Sequence, residues 1–413
     1  MALGKKLLPI LIIVSIAAGF AGGIFYSKEQ AGRLKNIPQE LINQDEGKVK
    51  KIDFSDFWKA WQFLEAKYVD QGKLDYQKMV YGAIDGMVDA VGDPYTVFFE
   101  PSTNKKFQEE ISGAFGGVGM ELGLKNNIIT VIAPIKDTPA ARAGIKAGER
   151  IMKIDAKSTA GMSLEEAVTL IRGRPGTRVT LTIAPPDDGD TRDITLTREI
   201  IKVPAVDWKM LESPPTGGAQ NIAYVQIYGF TQNVEADFKK ASEEILESDA
   251  DSLIIDLRNN PGGLLDSAIN LAGYFVDSGK LVVSEVFGNG AKNDFTSDGQ
   301  SQLKKYPAVI LVNNGSASAS EILAGALHDN NRTRIVGEKT FGKGSVQELE
   351  NLSNGASLKI TVARWFTPAG VNISESGITP DVKVELSDKE KEELTIGDPA
   401  KDPQLQKAVD ILK

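Results

Sequence analysis

Residues 252–263 read SLIIDLRNNPGG. The apolar stretch around Leu253, Ile254 and Ile255 has the composition of a strand buried on both faces, and Asn259-Asn260-Pro261-Gly262-Gly263 is a tight turn. The same unit recurs outward in both directions. AYVQI (223–227) precedes a helical pattern over 235–247, and a second helical pattern covers 266–275. AVILV (308–312) then leads to a helix from 318, followed by RIVGE (334–338). Strands alternating with helices predict an α/β core whose strands run parallel.

The chain has 413 residues, enough for two or three folded units. Hydrophobic residues make up 41% and charged residues 25%, ordinary globular proportions. With a net charge of −9 and no long basic block, nucleic-acid binding is excluded as a first reading. There is no cysteine and a single histidine, His328. Thiolate nucleophiles, thiolate metal sites, disulfides and multi-histidine zinc sites are thereby removed.

Residues 7–26, LLPILIIVSIAAGFAGGIFY, form an uncharged run behind Lys5 and Lys6, long enough to cross a bilayer. The run reads as a signal peptide or signal anchor over 1–27, and the missing Ala-x-Ala site favours the anchor. The folded part is then expected outside the cytoplasm, in the periplasm or cell envelope, held to the cytoplasmic membrane. A linker and N-terminal helical region follow over 28–112. Phe54, Phe57, Trp58, Trp61, Phe63 and Leu64 recur at helical spacing, as do Val80, Ile84, Met87, Val88 and Val91 before Gly92-Asp93-Pro94. These helices pack on the body or on a second copy.

Residues 113–185 change to short alternating strands, opening with Gly113-Ala114-Phe115-Gly116-Gly117-Val118-Gly119. Successive glycines let backbone N–H groups converge on an anion such as a terminal carboxylate, although a plain glycine turn accounts for the motif equally well. Met120 begins an apolar strand whose edge suits pairing with an extended peptide. Ser163 with Glu166 has capping-box spacing. With Thr138-Pro139-Ala140-Ala141-Arg142-Ala143-Gly144 and Leu170-Ile171-Arg172-Gly173, the segment resembles a PDZ domain.

Two further motifs carry nucleophiles or bases. Gly315-Ser316-Ala317-Ser318-Ala319-Ser320-Glu321 follows the 308–312 strand. Ser318 with Glu321 has capping-box spacing, and a hydroxyl at a helix N-terminus is also well placed for developing negative charge. Spacing does not choose among the three serines. If that helix reaches His328, ten residues at 1.5 Å separate it from Ser318 by about 15 Å, so the histidine cannot serve as its base. A lysine or a carboxylate must then do so. Lys343, flanked by Gly342 and Gly344, is the lysine candidate. An extended chain would place Lys343, Ser345 and Gln347 on one face. Burial is what would bring a lysine from about 10.4 towards neutrality. Backbone N–H groups at Gly262 or Gly263 could face a developing oxyanion.

Together the glycine-rich segment, Asn259–Gly263, the serine cluster and Phe341-Gly342-Lys343-Gly344-Ser345-Val346-Gln347 resemble the carboxy-terminal processing proteases of the S41 family. The resemblance implies a crotonase/ClpP-like α/β core over 186–385, an inserted PDZ domain and a C-terminal tail over 386–413 with a short helix. It implies a serine endopeptidase that needs no metal or cofactor, in which Ser318 is the nucleophile, Lys343 the general base and Gln347 the residue orienting that lysine. The oxyanion hole would come from Gly262 or Gly263 with Ala319. Gly116, Gly117, Val118, Gly119 and Met120 would bind substrate tails, and Arg172 would couple tail binding to assembly of the active site. Expected partners are proteins with apolar C-termini, an adaptor protein, the membrane and further copies of the chain. Two rival readings are a membrane-anchored PDZ scaffold and a hydrolase or lyase of small acyl compounds.

Overall fold

The computed structural model describes residues 53–125, 127–186, 189–211 and 221–413. The apolar run at 7–26 lies outside the described residues. Among those described, no helix is long and apolar enough to cross a membrane.

The chain divides into two compact units at Asp75. The described part of the first holds the helix Ser55–Lys67 and a single 3-10 turn, Gln71–Lys73. Phe57, Trp58 and Trp61 form a small aromatic cluster there, with centroids 5.0 Å (Phe57–Trp58) and 6.4 Å (Trp58–Trp61) apart. Phe54, Phe63 and Leu64 stay exposed.

The second unit is built on the sheet that the SLIIDL stretch foretells. Its strand order is Val206–Leu211, Ile222–Ile227, Ser252–Asp256, Ala308–Val312, Arg334–Gly337 and Val382–Lys383. The first pairing is antiparallel and the others are parallel. Successive side chains of a strand point to opposite faces, and both faces here are covered. Leu253 and Ile255 pack with Phe238, Leu271, Leu323 and Leu327 from three helices on one side. Ile254 packs with Leu405, Ala408 and Val409 on the other. Those last residues belong to the C-terminal helix Pro403–Leu412, so the polar tail expected beyond 386 closes the second face of the core. Burying a leucine or isoleucine is worth about 1.5–3 kcal/mol, which makes these two interior layers the main stabilising element.

A second sheet orders Val97–Phe99, Ser357–Phe366, Leu281–Phe287 and Lys292–Thr296, with Ser345–Asn351 also pairing to Ser357–Phe366. The glycine-rich segment forms its own domain with its own core, centred on Ile151, Ile154, Leu181 and Ile183. Its sheet runs Met120–Lys125, Ile128–Pro134, Arg150–Ile154, Arg178–Ala184, Arg192–Thr197. The last strand lies beyond residue 185, because its six-residue register with Arg178–Ala184 keeps it in this sheet. Gly116 and Gly117 are strand residues rather than a loop, paired with Ile200 and Glu199. A Cβ on Gly116 would run into the carbonyl of Gly173, so this close crossing needs glycine.

Candidate active site

The site lies at the carboxyl ends of two adjacent parallel strands, Ser252–Asp256 and Ala308–Val312, where an α/β sheet opens a crevice. Two turns leave these strands and are bonded together. Ser316 Oγ donates to the Leu257 carbonyl (2.7 Å), and Ser320 Oγ donates to the Asn260 carbonyl (3.0 Å). Ala317 N–H donates to the same Asn260 carbonyl at 3.0 Å. Both hydroxyls are fully buried and committed to these bonds. Ser318 stands between them, half-buried, with φ 54° and ψ −116°. A non-glycine residue in this region is strained, and such strain concentrates where function over-determines the backbone.

Ser318 begins the helix Ala319–Asn331. Glu321 accepts the Ser318 N–H at 2.8 Å, one half of the expected capping box. The same carboxylate reaches the lysine segment, where it accepts from Thr340 Oγ1 (2.5 Å), Gly342 N–H (2.8 Å) and Lys343 N–H (3.0 Å). The amides of Ser318 and Lys343 therefore lie within about one hydrogen bond of a single oxygen, Oε2. Burial pushes the Glu321 carboxyl up, and the four hydrogen bonds act against that rise. Spacing exposed the Ser318–Glu321 relation but not the longer reach to residues 340–343.

Burial also pushes the Lys343 amine below its ordinary value, with the Glu321 charge opposing the shift. Its Nζ lies 5.5 Å from the centroid of the Tyr95 ring. The strand that follows begins only at Ser345, and its register shifts between Val346 and Gln347. Within that strand Gln347 and Ser345 share a face. Gln347 Nε2 donates to Ser345 Oγ at 2.7 Å and lies 3.4 Å from Thr361 Oγ1. That bond puts Ser345 and Gln347 on one face of the strand, and Lys343 lies two residues before the strand begins.

The glycine turn is positioned by Asn260, to which the Asn259–Gly263 motif had given no role of its own. Its Oδ1 accepts the Gly262 N–H (2.9 Å), and its Nδ2 donates to the Ile227 carbonyl (2.7 Å). The Gly262 amide is thus already engaged. Gly262 instead permits contact: at φ 92°, an added Cβ would sit 2.8 Å from Ser318 Cβ and 2.9 Å from Ala319 N. The Gly263 and Ala319 amides have no intramolecular acceptor among the described residues. His328 lies in the last turn of the serine helix, bonded to Asp329 (2.9 Å) and Asp381 (3.2 Å).

In the glycine-rich domain, Val118 is buried, and Val118 and Gly119 form the corner before the Met120–Lys125 strand. Arg198 is buried and holds the end of the helix Leu164–Ile171, donating to the carbonyls of Ile171 (2.8 Å) and Leu170 (2.9 Å). Arg172 follows directly. Its guanidinium lies 4.0 Å from the Phe115 ring centroid, and its Nη1 is 3.9 Å from Glu109 Oε2.

A strained serine at a helix N-terminus, beside a glycine turn and a segment carrying a partly buried lysine, suits acyl transfer on an α/β core, the class of the serine hydrolases. The comparisons narrow this. Residues 221–384 match the model of peptidase family S41, 130–185 match a PDZ domain, and 12–103 match the N-terminal domain of the activating protease CtpB. The carboxy-terminal processing protease CtpA of Bacillus subtilis (strain 168) is 35% identical over 387 residues, covering 94% of this chain and 79% of that protein. The carboxy-terminal-processing protease of Bartonella bacilliformis is 36% identical over 376 residues, covering 90% and 83%. A solved putative S41 protease from Bacteroides fragilis shares the fold at TM-score 0.54 and 16% identity, covering 88% of this chain and 98% of that one. The chain belongs to the S41 family of carboxy-terminal processing serine proteases and carries a PDZ domain.

Proposed function

We propose that this protease cleaves polypeptides whose apolar C-terminal tails are gripped by the PDZ domain, using Ser318 as nucleophile and Lys343 as general base. The observation that carries this reading is the Glu321 carboxylate, which ties the Ser318 and Lys343 backbones to one oxygen while Ser316 and Ser320 are committed elsewhere. Neutral Lys343 takes the Ser318 hydroxyl proton, and the Oγ attacks the scissile carbonyl carbon. The resulting oxyanion accepts from the Ala319 N–H and from Gly263, since the Gly262 amide is engaged by Asn260. Lys343 gives its proton to the leaving amine as the C–N bond breaks. It then deprotonates a water that attacks the acyl carbon, and returns that proton to Ser318 Oγ as the ester C–O bond breaks. Gln347 orients the lysine after exchanging its bond to Ser345.

Substrate tails bind as an added strand along Met120–Lys125, with their carboxylate at the Val118–Gly119 corner. Exposed Phe54, Phe63 and Leu64 support self-association, and the apolar run at 7–26 supports anchoring to the cytoplasmic membrane with the catalytic part outside. Whether an adaptor delivers substrates can be tested by pull-down with the Ser318→Ala chain.

The test of the dyad compares cleavage of an unstructured protein bearing a free or an amidated apolar C-terminus. Wild type should cleave the free form faster. Ser318→Ala and Lys343→Ala should each lose at least about 10³-fold in kcat while still binding the tail peptide. Cleavage surviving both substitutions would sink the dyad, and a scaffold would show no cleavage by any variant.

A further inference from the structure

Beneath the glycine turn lies a buried charge cluster that the reaction does not use. Arg258 immediately precedes Asn259–Gly263, and its side chain is 1% exposed. It is held from two directions. From its own strand, Asp256 accepts from Arg258 Nε (3.0 Å) and Nη2 (2.6 Å) and also from Tyr224 Oη (2.6 Å). From 144 residues further along the chain, Asp402 accepts bidentately, Oδ1 from Nη1 at 2.8 Å and Oδ2 from Nη2 at 2.6 Å. Gln404 Oε1 adds a third acceptor at 3.1 Å. Asp402 also caps the C-terminal helix, accepting the Leu405 N–H at 3.0 Å. Two carboxylates on one guanidinium leave a buried net negative charge, which pure stability would not favour over an apolar filling. What the cluster adds is geometry, since a bidentate fork fixes direction as well as distance.

That direction is passed on to the catalytic turns. Arg258 leads into Asn259, which sits at φ 56° and donates its N–H to Asn313 Oδ1 at 2.9 Å. Next comes Asn260, whose side chain holds Gly262 and whose carbonyl receives Ala317 and Ser320 on either side of Ser318. We propose that Asp402 is a positioning residue for the oxyanion turn, acting through Arg258, so that the C-terminal helix sets the rate of the acyl-transfer step. The proposal rests on the Ser318 reading above.

The test uses the full chain and three variants. Asp402→Asn keeps the helix-capping oxygen but puts an amide NH2 against the guanidinium. Val409→Ala weakens the same helix on its apolar face, away from the cluster. Gln404→Met removes the single-point contact to the guanidinium together with the Gln404 Nε2 bond to the Val384 carbonyl (2.8 Å). Readouts are kcat and KM on the unstructured substrate, the melting temperature, and the labelling rate with a phosphonylating serine probe, followed by mapping of the labelled residue. Asp402→Asn should lose 10- to 100-fold in kcat and in labelling rate, with KM within about twofold. Val409→Ala should lose comparable melting temperature yet keep kcat within about twofold. If both variants lose kcat in step with stability, or if Asp402→Asn keeps its kcat, the proposal is overturned. If Asp402→Asn does not fold, Gln404→Met decides: a kcat loss of at least threefold with KM held sustains the proposal, and an unchanged kcat overturns it. Labelling mapped away from Ser318 would instead refute the dyad reading.

Discussion

Lys343 is kept where a charge is unwelcome, and stability should show it. Burial lowers its pKa in the folded chain, so below that value the fold carries a buried ammonium that the unfolded chain leaves in water. As pH rises through the folded value towards about 10.4, the native state loses its proton first and this penalty is relieved. Lys343→Met should therefore abolish cleavage yet raise the melting temperature at pH 7 by about 2 °C, with the advantage shrinking as pH increases. For the wild type, kcat/KM should climb with pH along a limb whose midpoint lies below that of a free lysine. A melting temperature that falls at pH 7 would contradict the burial argument. At the neighbouring turn, Gly262 leaves no room for a side chain: an added Cβ would meet the Ala317 carbonyl at 2.5 Å and Ser318 Cβ at 2.8 Å. Gly262→Ala should lower kcat by about 10²–10³-fold, through displacement of Ser318 and of the amide donors beside it. Peptide binding to the PDZ domain should not change, and fluorescence titration of a tail peptide checks that.

At the level of elements, the alternating strand and helix pattern was legible because apolar runs such as SLIIDL and AVILV are buried on both faces. The helix boundaries at 234–247 and 265–272 fell within a few residues of those read from the pattern. Period-two reasoning reached Ser345 and Gln347, whose side chains are bonded, while the strand's start after Lys343 leaves no mark in residue type. The roles of Asn260, Glu321 and Asp402 were also hidden, since each depends on contacts with distant segments that spacing does not encode. The serine helix carries His328 in its last turn, and here a titration follows. Desolvation lowers its pKa, but hydrogen bonds to Asp329 and Asp381 outweigh that and raise it above the ordinary 6.5. Its contribution is fully present below about pH 6.5 and is lost as pH rises through the raised folded value. The side chain is 41% exposed, so screening should hold this contribution below about 1 kcal/mol. Stability curves for His328→Gln should lie below wild type at pH 5.5 and converge with it at pH 8.5. A constant offset across that range would remove the pH-linked role.

At the scale of the whole molecule, the PDZ domain meets the rest of the second unit around Arg172. Arg198 fixes the end of the helix Leu164–Ile171 and Arg172 follows it directly, so a tail bound as proposed above and pressed against that helix would load Arg172 next. Arg172 in turn touches Glu109, from the helix Pro101–Ser112, and Phe115. Together these residues line a cavity of about 270 Å³ with Tyr228, Gly229 and Thr231. Gly229 and Thr231 flank Phe230, whose N–H donates to the Gly262 carbonyl at 2.8 Å. A displacement of Arg172 therefore has a short mechanical route to the glycine turn through Phe230. Coupling of this kind typically amounts to 5- to 150-fold. The wild type should show at least a tenfold preference in kcat/KM for the free over the amidated C-terminus. Arg172→Ala should reduce that ratio to about one, while the amidated substrate is cleaved at its former rate. Retention of the full ratio would mean that the PDZ domain only concentrates substrate, with no mechanical influence on the turn that holds the oxyanion.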